Sequence, residues 1–218
     1  LTDNMGMARC AINPQTMQHN KFKIVKAKKA KKVAIVGAGI GGMEAARVLA
    51  LRGHIPVIFE KSDKLGGVFN AAAAPEFKEK DKELLAWYAK ELKDLNIEVR
   101  FNSEITSKDQ LKDFDDVIVA SGAEANRPRI PGLEKSIEAC DYLYGKEVGD
   151  KVIIIGGGLS GCEIAYDLFK KGKTPIIVEM KNDLIAVKGV CLANSSFLRD
   201  FFELNKVEVH LETSLIKV

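Results

Sequence analysis

Glycines at 37, 39 and 42 with a glutamate at 60 form one constellation, and Gly156, Gly158, Gly161 and Glu179 repeat it. Each member recurs 119 positions later, Gly37 as Gly156 and Glu60 as Glu179, and Glu44, Gly53 and Pro56 recur as Glu163, Gly172 and Pro175. Glycines in this spacing bring a backbone close to a pyrophosphate. The first turns the chain sharply, the second admits the phosphates, and the third lets a helix pack on the preceding strand. A carboxylate 23 positions after the first glycine, as Glu60 is after Gly37, is placed to accept hydrogen bonds from a ribose diol. The chemistry is dinucleotide binding, twice in one chain.

The elements needed to position these residues are legible around them. Val33–Val36 and Val152–Ile155 are short, apolar and rich in β-branched residues, as strands buried in a parallel sheet are. Helices follow and end at Gly53 and Gly172, which read as C-terminal caps. Second strands then lead into the two acids. A lone glycine turn is weak evidence, but here each sits between strand and helix, carries its acid, and occurs twice. The expected fold is α/β, with two Rossmann-like dinucleotide-binding units.

The copies differ after their acids. Glu60 and Lys61 are followed by Gly66 and Gly67, whereas Ile185 and Ala186 stand at the matching positions of the second copy. DDVIVASGA, Asp115–Ala123, reads as another buried strand ending in small residues where bulk would meet a bound nucleotide. These features resemble the FAD-binding half of the two-dinucleotide-binding flavoproteins, with Ser121 and Gly122 matching its ATG-like strand. The resemblance implies FAD at the first copy, with the backbone of Ile105 against adenine, and a nicotinamide dinucleotide at the second. Glu179 favours NADH over NADPH, because a carboxylate repels a 2′-phosphate, although the nearby Lys181 softens that preference.

Between the copies, residues 76–95 read as an amphipathic helix with Leu85, Tyr88, Leu92 and Leu95 on one face. Trp87 and Tyr88 have the chemistry to stack on a flavin, but core packing is the favoured reading. Strand character is expected at Ile97–Phe101 and Ser103–Thr106, then in Val207–Leu211 and Ser214–Val218 after a helix over 194–205. Residues 1–30 read as a linker, 31–123 as the FAD half, 124–149 as a proline-rich crossover and 150–218 as the nicotinamide half.

Of the net charge of +3, residues 1–32 carry +7, from Arg9 and seven lysines against Asp3. Without interleaved aromatics beyond Phe22 or a nucleic-acid motif, a solvated linker or a docking strand is favoured over nucleic-acid binding. No apolar run is long enough to span a bilayer and no signal-peptide pattern is present, so no membrane role and a cytoplasmic location are expected. Cys10, Cys140, Cys162 and Cys191 are far apart, with no C-x-x-C, and Cys162 reads as a packing residue. His19, His54 and His210 are scattered, so no side chain stands out as a general acid or base.

RCAINP, Arg9–Pro14, followed by KKVAIVGAG, ALRGH (Ala50–His54) and EKSDKLGGVFNAA (Glu60–Ala72), is more specific. It resembles the NADH:flavin oxidoreductases related to 2,4-dienoyl-CoA reductase, trimethylamine dehydrogenase and enoate reductases. That resemblance implies a fragment of a longer polypeptide, with Cys10 as the last ligand of a [4Fe–4S] cluster and an FMN-binding TIM barrel before it. One cysteine cannot hold a cluster that needs four ligands. The implied activity is that of an FAD-dependent NAD(P)H oxidoreductase, passing hydride from NADH to FAD while the parent reduces an activated C=C bond. A separate FAD-dependent NADH reductase of a ferredoxin-like carrier, or a non-catalytic ADP-binding domain, are the alternatives.

Overall fold

The computed structural model describes Cys10, Asn13, residues 15–187 and residues 189–218. The other residues of the RCAINP stub lie outside them. The chain divides into two compact units, Leu1–Ala125 and Asn126–Val218.

Unit 1 contains β1 (Lys32–Val36), α1 (Ile40–Leu51), β2 (Ile55–Phe59), α2 (Phe69–Ala72), α3 (Glu79–Asp94), β3 (Glu98–Arg100) and β4 (Asp116–Val119). Its four parallel strands run in the order β3-β2-β1-β4. Alternation along β1 sends Ile35 to one face, where Met43 and Ala46 of α1 and Tyr88 and Leu92 of α3 cover it. Ala34, Val57 and Phe59 face the other way, onto Leu111, Ile105 and Phe114. Such burial contributes about 1.5–3 kcal/mol for each large side chain.

Unit 2 contains α4 (Ala139–Leu143), β5 (Lys151–Ile155), α5 (Leu159–Lys170), β6 (Thr174–Val178), α6 (Leu192–Leu204) and β7 (Glu208–His210). Its three parallel strands run β5-β6-β7. Ile154 and Ile177 pack under Cys162, Leu168, Leu198 and Phe202 of the two long helices. The opposite face of β5 is open, with Ile153 and Ile155 exposed.

The repeat extends to helix ends. Gly53 and His54 donate to the carbonyls of Ala50 and Leu49, and Gly172 and Lys173 to those of Phe169 and Leu168. Both glycines have positive φ, +90° and +76°, so both helices end in a Schellman motif as expected. His54 is structural, its Nδ1 accepting from the Lys31 backbone N–H at 3.2 Å.

Three expectations shift. The helix expected at 76–95 opens as a 3₁₀ turn, Glu76–Lys78, because Pro75 with ψ 146° starts it from an extended backbone. Ser103–Thr106 is not a strand: its N–H groups are taken by the Glu60 carbonyl and the Gln110 side chain. Ser214–Val218 is not one either. Val218 donates to the carbonyl of Pro131 at 2.9 Å, and proline has no N–H with which to return the bond.

Candidate dinucleotide-binding sites

In unit 1 the chain leaves β1 at Gly37, whose N–H donates to Phe59 at 2.8 Å and whose φ is +107°. A Cβ there would lie 2.4 Å from the Ala120 carbonyl oxygen and 3.2 Å from the Ser121 Cα. The chain leaving β4, at Ala120 and Ser121, therefore runs directly beside the turn, whereas a Cβ on Gly122 would meet nothing within 4 Å. A Cβ on Gly42 would lie 1.9 Å from the Gly37 carbonyl oxygen, so α1 can start only with glycine there. Gly39 differs: a Cβ on it would meet nothing within 4 Å.

Unit 2 reproduces this. Gly156 has φ +105° and donates to Val178 at 2.8 Å, and a Cβ on Gly161 would lie 1.9 Å from the Gly156 carbonyl oxygen. The space above Gly158 is again open. Both N-caps, Gly39 and Gly158, lack a side-chain cap, and neither helix has an acid in its first turn. Neither helix start thus has a capping side chain, or an acid in its own first turn, to occupy its N–H groups. This is the cradle a pyrophosphate needs.

The two acids do something the spacing alone did not reveal. Glu60 is buried and its Oε2 accepts the Ala38 N–H at 2.7 Å, while Oε1 accepts the Ser62 N–H and hydroxyl at 2.9 and 2.8 Å. Glu179 is buried in the same way, its Oε2 accepting from Gly157 at 2.6 Å and Oε1 from the Lys181 N–H at 2.8 Å. The matching carbonyls are held as well: Gly66 donates to Ala38 at 2.9 Å, and Ile185 to Gly157 at 2.7 Å. In each turn the residue between the first two glycines is therefore held at both its N–H and its C=O. For Glu60, burial works to raise the carboxyl's pKa, but the Ser62 and Ala38 donors and the Lys61 charge outweigh it and hold it below its ordinary value. Glu60 Oε1 already accepts two bonds, but Glu60 Oε2 and both oxygens of Glu179 accept one each and retain lone-pair capacity for a ribose hydroxyl.

Gly66 and Gly67 lie against the turn. Gly66 bridges to Gly39, and a Cβ on Gly67 would lie 3.3 Å from the Gly39 Cα. Lys61 is exposed, and Ile105 is half-buried against Val57 and Phe59. Asn70, not singled out by spacing, donates from Nδ2 to the carbonyls of Leu65 and Gly67 at 2.8 and 3.1 Å. The only sequence signal was a carboxamide three positions after a glycine pair. In unit 2, Ile185 keeps the place of Gly66 with φ +52°, a conformation costly for a β-branched residue.

Tyr88 is core, its hydroxyl donating to Glu44 Oε2 at 3.3 Å, and its pKa is pushed up to about 12 by burial and by that carboxylate. Trp87 lies at the surface with the Arg47 guanidinium 5.4 Å from its ring centroid. Tyr88 follows the core-packing reading, whereas Trp87 does not. Cys162 is fully buried, donates to the Gly157 carbonyl at 3.4 Å, and burial pushes its pKa up to about 12. All four cysteines are free thiols. Cys10 is exposed, and no group of three metal-ligating side chains occurs among the described residues. Nor is any helix among them long and apolar enough to cross a membrane.

Comparison with known proteins agrees with this geometry. The family model for pyridine nucleotide-disulphide oxidoreductases matches residues 31–218. The chain is 43% identical over 218 residues to cinnamate reductase of Clostridium sporogenes, covering 98% of this chain and 33% of that one. It is 40% identical over 187 residues to NADH oxidase of Thermoanaerobacter brockii, covering 81% of this chain and 28% of that one. Among solved structures, a 2-naphthoyl-CoA reductase complex superposes with a TM-score of 0.85 at 29% identity, covering 96% of this chain and 32% of that one. Histamine dehydrogenase from Rhizobium sp. 4-9 shares the fold, with a TM-score of 0.78 at 19% identity, over 97% of this chain and 34% of that one. The chain thus spans about a third of the length of these relatives. The resemblance to enoate reductase-like NADH:flavin oxidoreductases holds. With its paired Rossmann-type units, the chain belongs to the pyridine nucleotide-disulphide oxidoreductase family, whose members bind FAD and NAD(H).

Proposed function

We propose that this chain is the electron-input module of an NADH:flavin oxidoreductase, accepting hydride from NADH onto FAD. The observation that carries the reading is the duplicated turn: two open, uncapped helix starts, each backed by a buried carboxylate, on one chain. Gly66, Gly67, Ala120 and Ser121 crowd only the first turn, which supports FAD there, with Gly122 leaving space beside them. In this reading Gly37, Gly39 and Gly42 present the pyrophosphate-binding backbone, Glu60 takes the ribose, and Lys61 lends positive charge. Ile105, whose polar backbone atoms have no hydrogen-bond partner among the described residues, meets the adenine. At the second turn Gly156, Gly158 and Gly161 seat NADH and Glu179 takes its ribose.

NADH is preferred over NADPH because Glu179 would repel a 2′-phosphate. The ammonium of Lys181 is turned to the Ala186 carbonyl, 3.3 Å away, which favours the same choice. When bound, FAD supplies the two-electron chemistry, and the protein's part is to seat and orient. The names of the relatives, a cinnamate reductase and a 2-naphthoyl-CoA reductase, support a parent that reduces an activated C=C bond. The resemblance to enoate reductase-like NADH:flavin oxidoreductases supports a partner FMN barrel with a [4Fe–4S] cluster in the same polypeptide. Cys10 would be one ligand of that cluster. Free thiols fit a cytoplasmic, reducing setting.

Anaerobic titration of the FAD-reconstituted chain with NADH tests the reading. Stoichiometric bleaching of the flavin's visible band is expected. Binding of ADP without FAD would overturn it in favour of a non-catalytic nucleotide domain. Three further cysteines encoded just before Leu1 would support the cluster assignment, and their absence would sink it.

A further inference from the structure

The two turns are near-copies down to their hydrogen bonds, so whatever makes one a flavin dinucleotide site must lie where the copies part. They part where β4 ends beside the first turn only, and again past Gly66. Through Glu60, Ser62 and Gly66 every backbone N–H bond of the first turn has its counterpart at Glu179, Lys181 and Ile185, whereas the Ser62 hydroxyl bond to Glu60 has none. Past Gly66 the correspondence ends. Unit 1 forms the short helix α2, whereas the described residues 185–187 and 189 lie in none, and the position matching Asn70 is Gly189.

Asn70 is what holds the diverging segment. Both its partners, the Leu65 and Gly67 carbonyls, are acceptors, so its amide nitrogen must be the atom that faces them. A single side chain thereby ties down the peptide groups on either side of the Gly66-Gly67 pair. The fit is tight: a Cβ on Gly66 would lie 2.7 Å from Asn70 Oδ1. With these carbonyls held back, the glycine pair lies flat against Gly39, the residue with open space for a phosphate.

We infer that Asn70 is a positioning residue that fits the first turn to FAD, by drawing the Leu65 and Gly67 carbonyls away from the phosphate-binding groove. A carbonyl turned into that groove would present negative charge to a pyrophosphate, and withdrawing two removes that opposition. The second turn, with Gly189 in that place, has no such device and suits the nicotinamide cofactor. The inference rests on the assignment of FAD to the first turn.

The test compares the full chain with N70A and N70D. Asparagine and aspartate have the same shape, but ionised aspartate cannot donate and would repel both carbonyls. N70D is expected to weaken FAD binding by at least about tenfold and more than N70A, whereas a packing role would make N70A the worse variant. The N70D deficit should shrink as pH falls toward about 5, where the introduced carboxyl begins to protonate, and the N70A deficit should stay flat. At saturating FAD, KM for NADH should be the same in all three proteins, because unit 2 is unchanged. Equal FAD affinity in all three proteins, or a pH-independent N70D deficit, overturns the inference while leaving the FAD assignment intact. Failure of the unmodified chain to bind FAD overturns the assignment, and the inference with it.

Discussion

The carboxylate of Glu60 accepts a 2.7 Å hydrogen bond from the backbone N–H of Ala38, 22 positions earlier and inside the glycine turn. The acid expected to recognise a ribose is thus also the fastener of the loop that recognises the phosphates. Glu179 and Gly157 repeat the relationship at 2.6 Å. In the proposed reading, ribose and phosphate recognition are coupled through a single side chain, on a loop that its own hydrogen bonds already organise.

Glu60→Gln should destabilise unit 1 by about 1–3 kcal/mol, because an amide nitrogen must then face either Ala38 or the Ser62 pair of donors. The pH dependence follows from the lowered carboxyl. Its folded-state value lies below the ordinary 4.5, so the ionised form's stabilisation is complete above that value and is lost as pH falls through the lower folded one. Urea melts between neutral pH and about pH 3 should show this loss in the unmodified chain and not in E60Q.

Glu179→Gln should narrow the preference for NADH over NADPH by roughly tenfold, since about 1.4 kcal/mol of charge repulsion is a modest share for one carboxylate. Steady-state reduction of FAD with each dinucleotide measures the ratio. FAD affinity should not move, because unit 1 is unchanged.

Ile185 invites a reversal of the usual order of substitutions. At a buried aliphatic site, glycine is ordinarily worse than alanine by about 0.5–1 kcal/mol from backbone entropy. Here φ is +52°, where alanine retains the steric penalty of a Cβ and glycine does not. I185G is therefore expected to be more stable than I185A, by about 1 kcal/mol, although both lose the packing of a side chain buried beside Leu184. Thermal or urea melts of the pair would settle the order, and the ordinary ranking would mean the backbone relaxes away from this conformation.

These contrasts also mark what the sequence could carry. The turns, their flanking strands, the acids and the helix caps were legible because each depends on a residue type at a fixed distance. Asn70 was hidden because its partners are main-chain carbonyls, which leave no trace in the identity of Leu65 or Gly67. Nothing about isoleucine announces positive φ at position 185; that conformation is imposed by the bond to Gly157 and by burial. The segment 214–218 looked like a strand by composition, but its neighbour is Pro131, and pairing depends on what lies alongside. α4, five residues long, was too short to show a period.

The glycines separate folding from binding, and this gives the sharpest contrast. Gly42→Ala and Gly161→Ala each put a methyl 1.9 Å from a backbone oxygen of the same turn, which no rotamer can relieve. Both should lower the melting temperature of the chain strongly, with losses of about 2 kcal/mol or more. Gly39→Ala and Gly158→Ala put the methyl into open space at ordinary extended φ values of −69° and −70°. These two should melt with the unmodified chain. Their cost should appear only when a pyrophosphate must occupy the space, and on different ligands: G39A should lose FAD affinity while KM for NADH holds, and G158A the reverse. If G39A bound FAD as tightly as the unmodified chain, the pyrophosphate could not lie over the first turn. If it impaired both ligands alike, the two sites would not be independent.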